Sequence, residues 1–111
     1  MIDSFNIRTL LRERATQSSF HVASEQNVRI EFRNMKAGNV LGPFAYDGEV
    51  VVTCYAGEFE LEVGASTTKL AEMDQAVVTS GTQIKMICRV PGTTQLIWAP
   101  GQARTSQERT P

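Results

Sequence analysis

Turn-forming pairs recur along this chain at short, fairly even intervals, and that rhythm constrains its fold more than any other feature. Ala37-Gly38, Asp47-Gly48, Ala56-Gly57, Gly64-Ala65, Met73-Asp74, Ser80-Gly81, Pro91-Gly92 and Pro100-Gly101 punctuate it. Between them lie β-rich runs at 49–55 (EVVVTCY), 58–63 (EFELEV), 75–79 (QAVVT), 83–90 (QIKMICRV) and 94–99 (TQLIWA). Upstream, Val28, Ile30 and Phe32 alternate with Arg29, Glu31 and Arg33, the period of a half-buried strand. Asp47-Gly48 between two such runs is a short-range hairpin signal. Many short strands with turns this close together, and no helical run between them, predict an all-β sandwich or barrel.

One helix is predicted ahead of the strands. Over 7–15 (IRTLLRERA), Ile7, Leu10 and Leu11 fall at helical spacing among charged residues, with Ser4 or Asn6 as N-cap. At 111 residues the chain has length for one core, so we read 1–27 as helix and lead-in, 28–100 as barrel and 101–111 as a tail. The tail (GQARTSQERTP) has no large apolar residue with which to offset the entropy of ordering. The chain is 41% hydrophobic and 21% charged, which suits a soluble globular protein. Eleven basic against twelve acidic residues give a net charge of -1 without a basic run, which argues against nucleic acid as a partner. Charges interrupt the N-terminal apolar positions, so neither a signal peptide nor a membrane span is expected. The reading is a cytoplasmic protein whose two cysteines, Cys54 and Cys88, stay reduced.

The glycine spacing narrows the architecture. Gly38-x5-Phe44-x-Tyr46-x3-Val50-x6-Gly57 is followed, after fifteen intervening residues, by Met73, then Thr79-Ser80-Gly81, then Ile84 and Cys88. This frame resembles the two motifs of the cupins, and the segment 57–81 resembles their run of hairpin, strand and turn. In that family the first motif carries His-x-His and Glu where this chain has Phe44, Tyr46 and Val50. The second carries a His where this chain has Ile84. Met73 and Thr79 replace the Gly and Pro of its two turns. The resemblance covers roughly 28–100 and implies a jelly-roll sandwich or barrel with a central cavity.

Taking the ligand positions as inward, Phe44 and Tyr46 line one strand of that cavity. Val50, Val52 and Cys54 line the next, and Ile84, Met86 and Cys88 a third. Phe59, Leu61 and Val63 point inward too, leaving Glu58, Glu60 and Glu62 to water. Phe, Val and Ile have no lone pair to offer a cation, so no metal centre of the cupin type and no cofactor are expected. Cys54, Met86 and Cys88 are soft donors on one face, but free Cys and Met are common core fillers, and packing is the preferred account. A Cys54–Cys88 redox pair would need Cα atoms within about 7 Å.

Tyr46 is the one candidate for chemistry, since a hydroxyl in an apolar cavity wants a partner. His21, the single histidine, would serve as base only if the N-terminal segment lay over the barrel mouth. Asp47 and Glu49 are explained by the turn, and Trp98 by core or interface packing.

The favoured reading is a metal-free protein binding a small, largely apolar molecule among Phe44, Tyr46, Val50, Val52, Cys54, Ile84, Met86 and Cys88, as sensor, carrier or accessory. One alternative is a metal-independent isomerase, epimerase or lyase using Tyr46 with a nearby acid or base. Another is a cavity filled by its own side chains, with function in the surface. The resemblance also implies a homodimer, and edge strands that need covering point the same way, with 7–11 and 28–32 as interface.

Overall fold

The computed structural model describes residues 4–24, 28–46, 48–79 and 81–98. Asp47, Ser80, Pro100-Gly101 and the 101–111 tail lie outside the described residues. The chain runs α1 (Ile7–Glu13), β1 (Ser19–Ser24), β2 (Arg29–Met35), β3 (Val40–Phe44), β4 (Val50–Val63), β5 (Ser66–Leu70), β6 (Gln75–Val78) and β7 (Ile84–Trp98). All strand pairs are antiparallel.

The long strands β4 and β7, of 14 and 15 residues, pair along their whole length and organise the rest. Their register shifts between Cys54 and Phe59, where both strands bend. On one side of the bend, β2 joins β7, β1 joins β2, and β6 joins the start of β4. On the other side, β3 joins the first half of β7 and β5 the second half of β4. The two halves close on one core, in which Val50, Val52, Cys54 and Leu96 from one layer meet Phe59, Leu61, Ile84, Met86 and Cys88 from the other. This is a jelly-roll-like sandwich, as the turn rhythm and the glycine frame led us to expect.

Three local expectations are corrected. Ala56-Gly57 and Pro91-Gly92 are not turns between strands. They are the bends inside β4 and β7, where the two backbones pass so closely that a Cβ on Gly92 would strike the Ala56 carbonyl and one on Gly57 the Val90 carbonyl. The second correction concerns the 45–49 link, which closes no hairpin. β3 pairs with β7 and not with β4, so this link carries the chain from one layer to the other. A true two-residue hairpin does join β4 to β5, with Val63 opposite Ser66 and Gly64 at φ 60°.

The third correction is to β2, which is more than half-buried. Its alternation puts Glu31, Arg33 and Met35 on the core side, because Glu31 pairs with Leu96 and directly opposed residues share a face. Phe32 points outward yet is fully buried, stacked on Phe20 at 5.2 Å between ring centres, so the strand is covered on both faces at its middle.

α1 starts where Asn6 Oδ1 accepts the Thr9 N–H at 2.9 Å, which settles the N-cap on Asn6. It stops at Glu13, two residues short of the expected end. Asn34 Nδ2 donates to the carbonyls of Arg14 and Gln17 at 3.1 and 2.7 Å and ties the chain down to β2. No helix is long and apolar enough to cross a membrane among the described residues.

Candidate functional site

Six of the eight side chains expected to line a cavity sit together in the middle of the sandwich. Val50 and Ile84 are 1% exposed, and Val52, Cys54, Met86 and Cys88 are 0% exposed. A water molecule touches essentially none of them, so their packing leaves no room for a ligand in their midst. Strand alternation orients them as the sequence implied. The volume of the side chains decides what they do: valine, isoleucine and methionine fill the space where the motif would otherwise hold a hydrated ion.

Cys54 and Cys88 are free and lie on the adjacent strands β4 and β7. They are not opposite one another, since Cys54 faces Thr94 and Cys88 faces Phe59. Each thiol turns to backbone carbonyls, Cys54 to Ala56 and Gly57 at 3.4 Å and Cys88 to Val90 at 3.2 Å. Burial pushes the Cys54 thiol up to about 11 and raises Cys88 as well, so both stay protonated and are poor nucleophiles. Phe44, Val50 and Ile84 supply no donor atom, and among the described residues no three His, Cys, Asp or Glu side chains cluster as metal ligands. The residues present do not fit a metal at the four motif positions.

Phe44 and Tyr46, the other two candidates, are half-buried at the rim of the core. Tyr46 stacks on Trp98 with 4.6 Å between ring centres and meets Phe44 edge-on at 5.0 Å. This aromatic group joins the two layers at one end of the sandwich, and it accounts for Trp98 as packing. Burial raises the Tyr46 phenol above its ordinary value. The Glu31 charge raises it further and Arg33 opposes that, which places both groups within electrostatic reach of the ring.

Glu31 and Arg33 form the polar feature of the core side of β2. The Glu31 side chain is 6% exposed and its Oε2 lies 2.8 Å from Arg33 Nε. That contact is an ion pair without hydrogen-bond alignment, since Arg33 Nε is buried and has no aligned acceptor. Arg33 keeps 35% of its side chain exposed. It opens on a cleft of about 180 Å³ between the end of β2 and the start of β3, lined also by Ser18, Asn34, Met35, Asn39 and Leu41. A second cleft, of about 530 Å³, adjoins it through Ser18, Asn34, Met35 and Asn39 and extends over 15–17 and Lys36. His21 stands opposite Glu31 in the β1–β2 register and is exposed, so the N-terminal segment does bring it to this edge.

Sequence reasoning missed Glu31 and Arg33, because charged residues alternating with Val28, Ile30 and Phe32 look like the wet side of a strand. Their one legible signal was Met35, the apolar residue that continues the charged phase into the core.

No family model matches the sequence, and no curated protein matches it. Solved structures do match the fold. A protein of Bacillus halodurans superposes with TM-score 0.81 at 13% identity, over 92% of this chain and 83% of its own. A cupin superfamily protein of Desulfitobacterium hafniense gives 0.71 at 16% identity, over 74% and 75%. KdgF of a Halomonas species gives 0.69 at 17% identity, over 78% and 82%. Identities this low speak to architecture alone. The bent β4–β7 pair, the glycine bends and these superpositions together establish that the chain has the cupin fold.

Proposed function

We propose that this cupin-fold protein works without a metal and binds a small molecule at the inner edge of its barrel, in the cleft beside Arg33. The observation that carries this reading is the Glu31–Arg33 pair on the core side of β2. Withdrawing the Glu31 carboxylate from water costs several kcal/mol unless other groups compensate, and the Arg33 guanidinium beside it stays partly in water. Across β7 the pair faces Leu96 and Thr94, and Met35 follows it on the same side of β2, so the packing there does not call for charge. Arg33 is the charged end of that pair which reaches the cleft, where Ser18, Asn34 and Asn39 add polar groups beside Met35, Val40 and Leu41, a mixed lining on which a polar small molecule can be oriented. The ligand therefore sits outside the eight motif-derived side chains, none of which lines this cleft.

Native mass spectrometry of the freshly purified protein tests this. An extra mass in the small-organic range is expected on the wild type and absent from Arg33→Met. A bare chain that also shows no rise in melting temperature across a library of small metabolites would sink the reading.

One observation supports an acid–base role on the core side of β2. Tyr46 feels Glu31, and His21 faces Glu31 across the strands, so a donor and an acceptor of protons stand at one edge. We infer a cytoplasmic setting from the two free thiols.

We also propose that the chain pairs with a second copy. On the outer face, Ile30, Ile97, Val51 and Val77 stand in one register row across β2, β7, β4 and β6, with no charge among them. Val77 is 61% exposed. The row crosses the strands, so a two-fold related copy can lay the same row against it.

A further inference from the structure

The cleft beside Arg33 opens into the larger one, and the two together select a kind of molecule, granted that the cleft binds a small molecule at all. We propose that the ligand is an organic acid with two anionic groups, one met by Arg33 and the other by Lys36. The clefts, of about 180 and 530 Å³, share Ser18, Asn34, Met35 and Asn39 in their walls. The smaller one adds Arg33 and the larger Lys36, and no acidic side chain lines either among the described residues.

Two asparagines, not the two cations, hold this groove together. Asn34 Nδ2 donates to the carbonyls of Arg14 and Gln17, and Asn34 N to the Ser18 carbonyl at 2.9 Å, which fixes 15–18 against β2. The 36–39 turn closes on itself, with Lys36 N donating to Asn39 Oδ1 and Asn39 N to the Lys36 carbonyl, both at 3.0 Å. Gly38 N donates to the Cys88 carbonyl at 2.8 Å and Cys88 N to the Asn39 carbonyl at 2.9 Å, so the turn is anchored to β7. The Lys36 ammonium takes part in no ion pair among the described residues. Arg33 meets Glu31 through Nε, and since that atom is buried, the exposed part of the guanidinium is its Nη end.

Guanidinium and ammonium groups only donate, so a matching ligand brings acceptors. Anionic acceptors serve best, because charge-assisted bonds are about twice as strong as neutral ones. Glu31 offsets part of the Arg33 charge from inside the core, but it lines neither cleft, so a ligand in the groove meets two cations and no side-chain anion. A cation finds no counter-charge there, and a neutral molecule leaves both cations without a partner. Arg33 and Lys36 are three residues apart, within about 10 Å at ~3.3 Å per residue, and their long side chains can close that gap onto one molecule. At ~30 Å³ per water the two clefts correspond to roughly six and eighteen waters, room for a short-chain diacid. Walls fixed in advance lower the ordering cost of binding.

Isothermal titration of the wild-type protein with succinate, glutarate and adipate, each against the monoacid of the same length (butyrate, pentanoate, hexanoate), tests the proposal. At least one diacid is expected to bind about tenfold or more tighter than its monoacid, the scale of one charge-assisted hydrogen bond. In Lys36→Met that diacid is expected to fall to the affinity of its monoacid. In Lys85→Met, which removes the same charge from a side chain lining neither cleft, it is expected to keep its wild-type affinity. The acid series needs only the wild type, so a variant that fails to fold leaves the test intact. Equal binding of every diacid and its monoacid would overturn the two-anion assignment, as would equal losses in Lys36→Met and Lys85→Met. Failure of all six acids on a protein that still carries an Arg33-dependent adduct would overturn it too, while leaving the cleft a binding site. Failure of all six on a bare chain would overturn this inference and the reading beneath it.

Discussion

Met73 holds a φ of 71°, the left-handed region that favours glycine, in the 71–74 turn. The turn is clamped around it: Met73 N donates to the Cys54 carbonyl at 2.7 Å, Asp74 N to the Ala71 carbonyl at 2.9 Å, and Asp74 Oδ2 accepts from Ala71 N at 2.8 Å. The side chain is 65% exposed and packs little. Met73→Gly is therefore expected to stabilise the fold by about 0.5–1 kcal/mol. Relief of a left-handed side chain is worth roughly 1–2 kcal/mol, less the ~0.5–1 kcal/mol entropic cost of glycine. The midpoint of urea unfolding checks this, and an unchanged or lower midpoint would mean that the turn carries no strain. This position was legible in the sequence as a glycine site without its glycine. Glu31 was not. Its burial comes from partners on β7, dozens of residues away, which no local pattern records.

At the scale of elements, the bends in β4 and β7 give the sandwich its shape. Gly92 faces Ala56 and Gly57 backbone to backbone, so any side chain there must push the two long strands apart. Gly92→Ala is expected to cost about 3 kcal/mol or more, the upper end of overpacking penalties. Gly38→Ala, at φ 90° with nothing near the added carbon, should cost only the roughly 1–2 kcal/mol of its backbone conformation. Thermal unfolding of the two variants side by side measures the difference, and equal losses would show that the bends tolerate separation. Both bends were visible in the sequence as Ala-Gly and Pro-Gly pairs. They were read as chain reversals because a glycine signals backbone freedom and not what the neighbouring strand does with it. The Asp47-Gly48 signal failed for a related reason: the strand after it finds β7 and β6 as partners, and the strand before it is taken by β7 on the far side.

For the whole molecule, the uncharged outer row ending at Val77 sets the expected assembly. Val77→Lys should shift the protein from dimer towards monomer in sedimentation velocity at micromolar concentration. Val40→Lys, also solvent-facing at 51% exposure but off this row, should not. A wild type that sediments as a monomer would end the proposal. The sequence by itself determined the strand content, the one short helix, the cupin-type glycine frame and the loss of metal donors. Each of these depends on residue type and local spacing, which a linear chain carries in full. Tertiary structure alone decided that the motif side chains fill the core, that four of the expected strands are halves of two, and that the charged side of β2 faces inward. Strand geometry fixes only the period of two, so both faces of β2 were open until β7 and Leu96 supplied the partner that turned Glu31 and Arg33 towards the core.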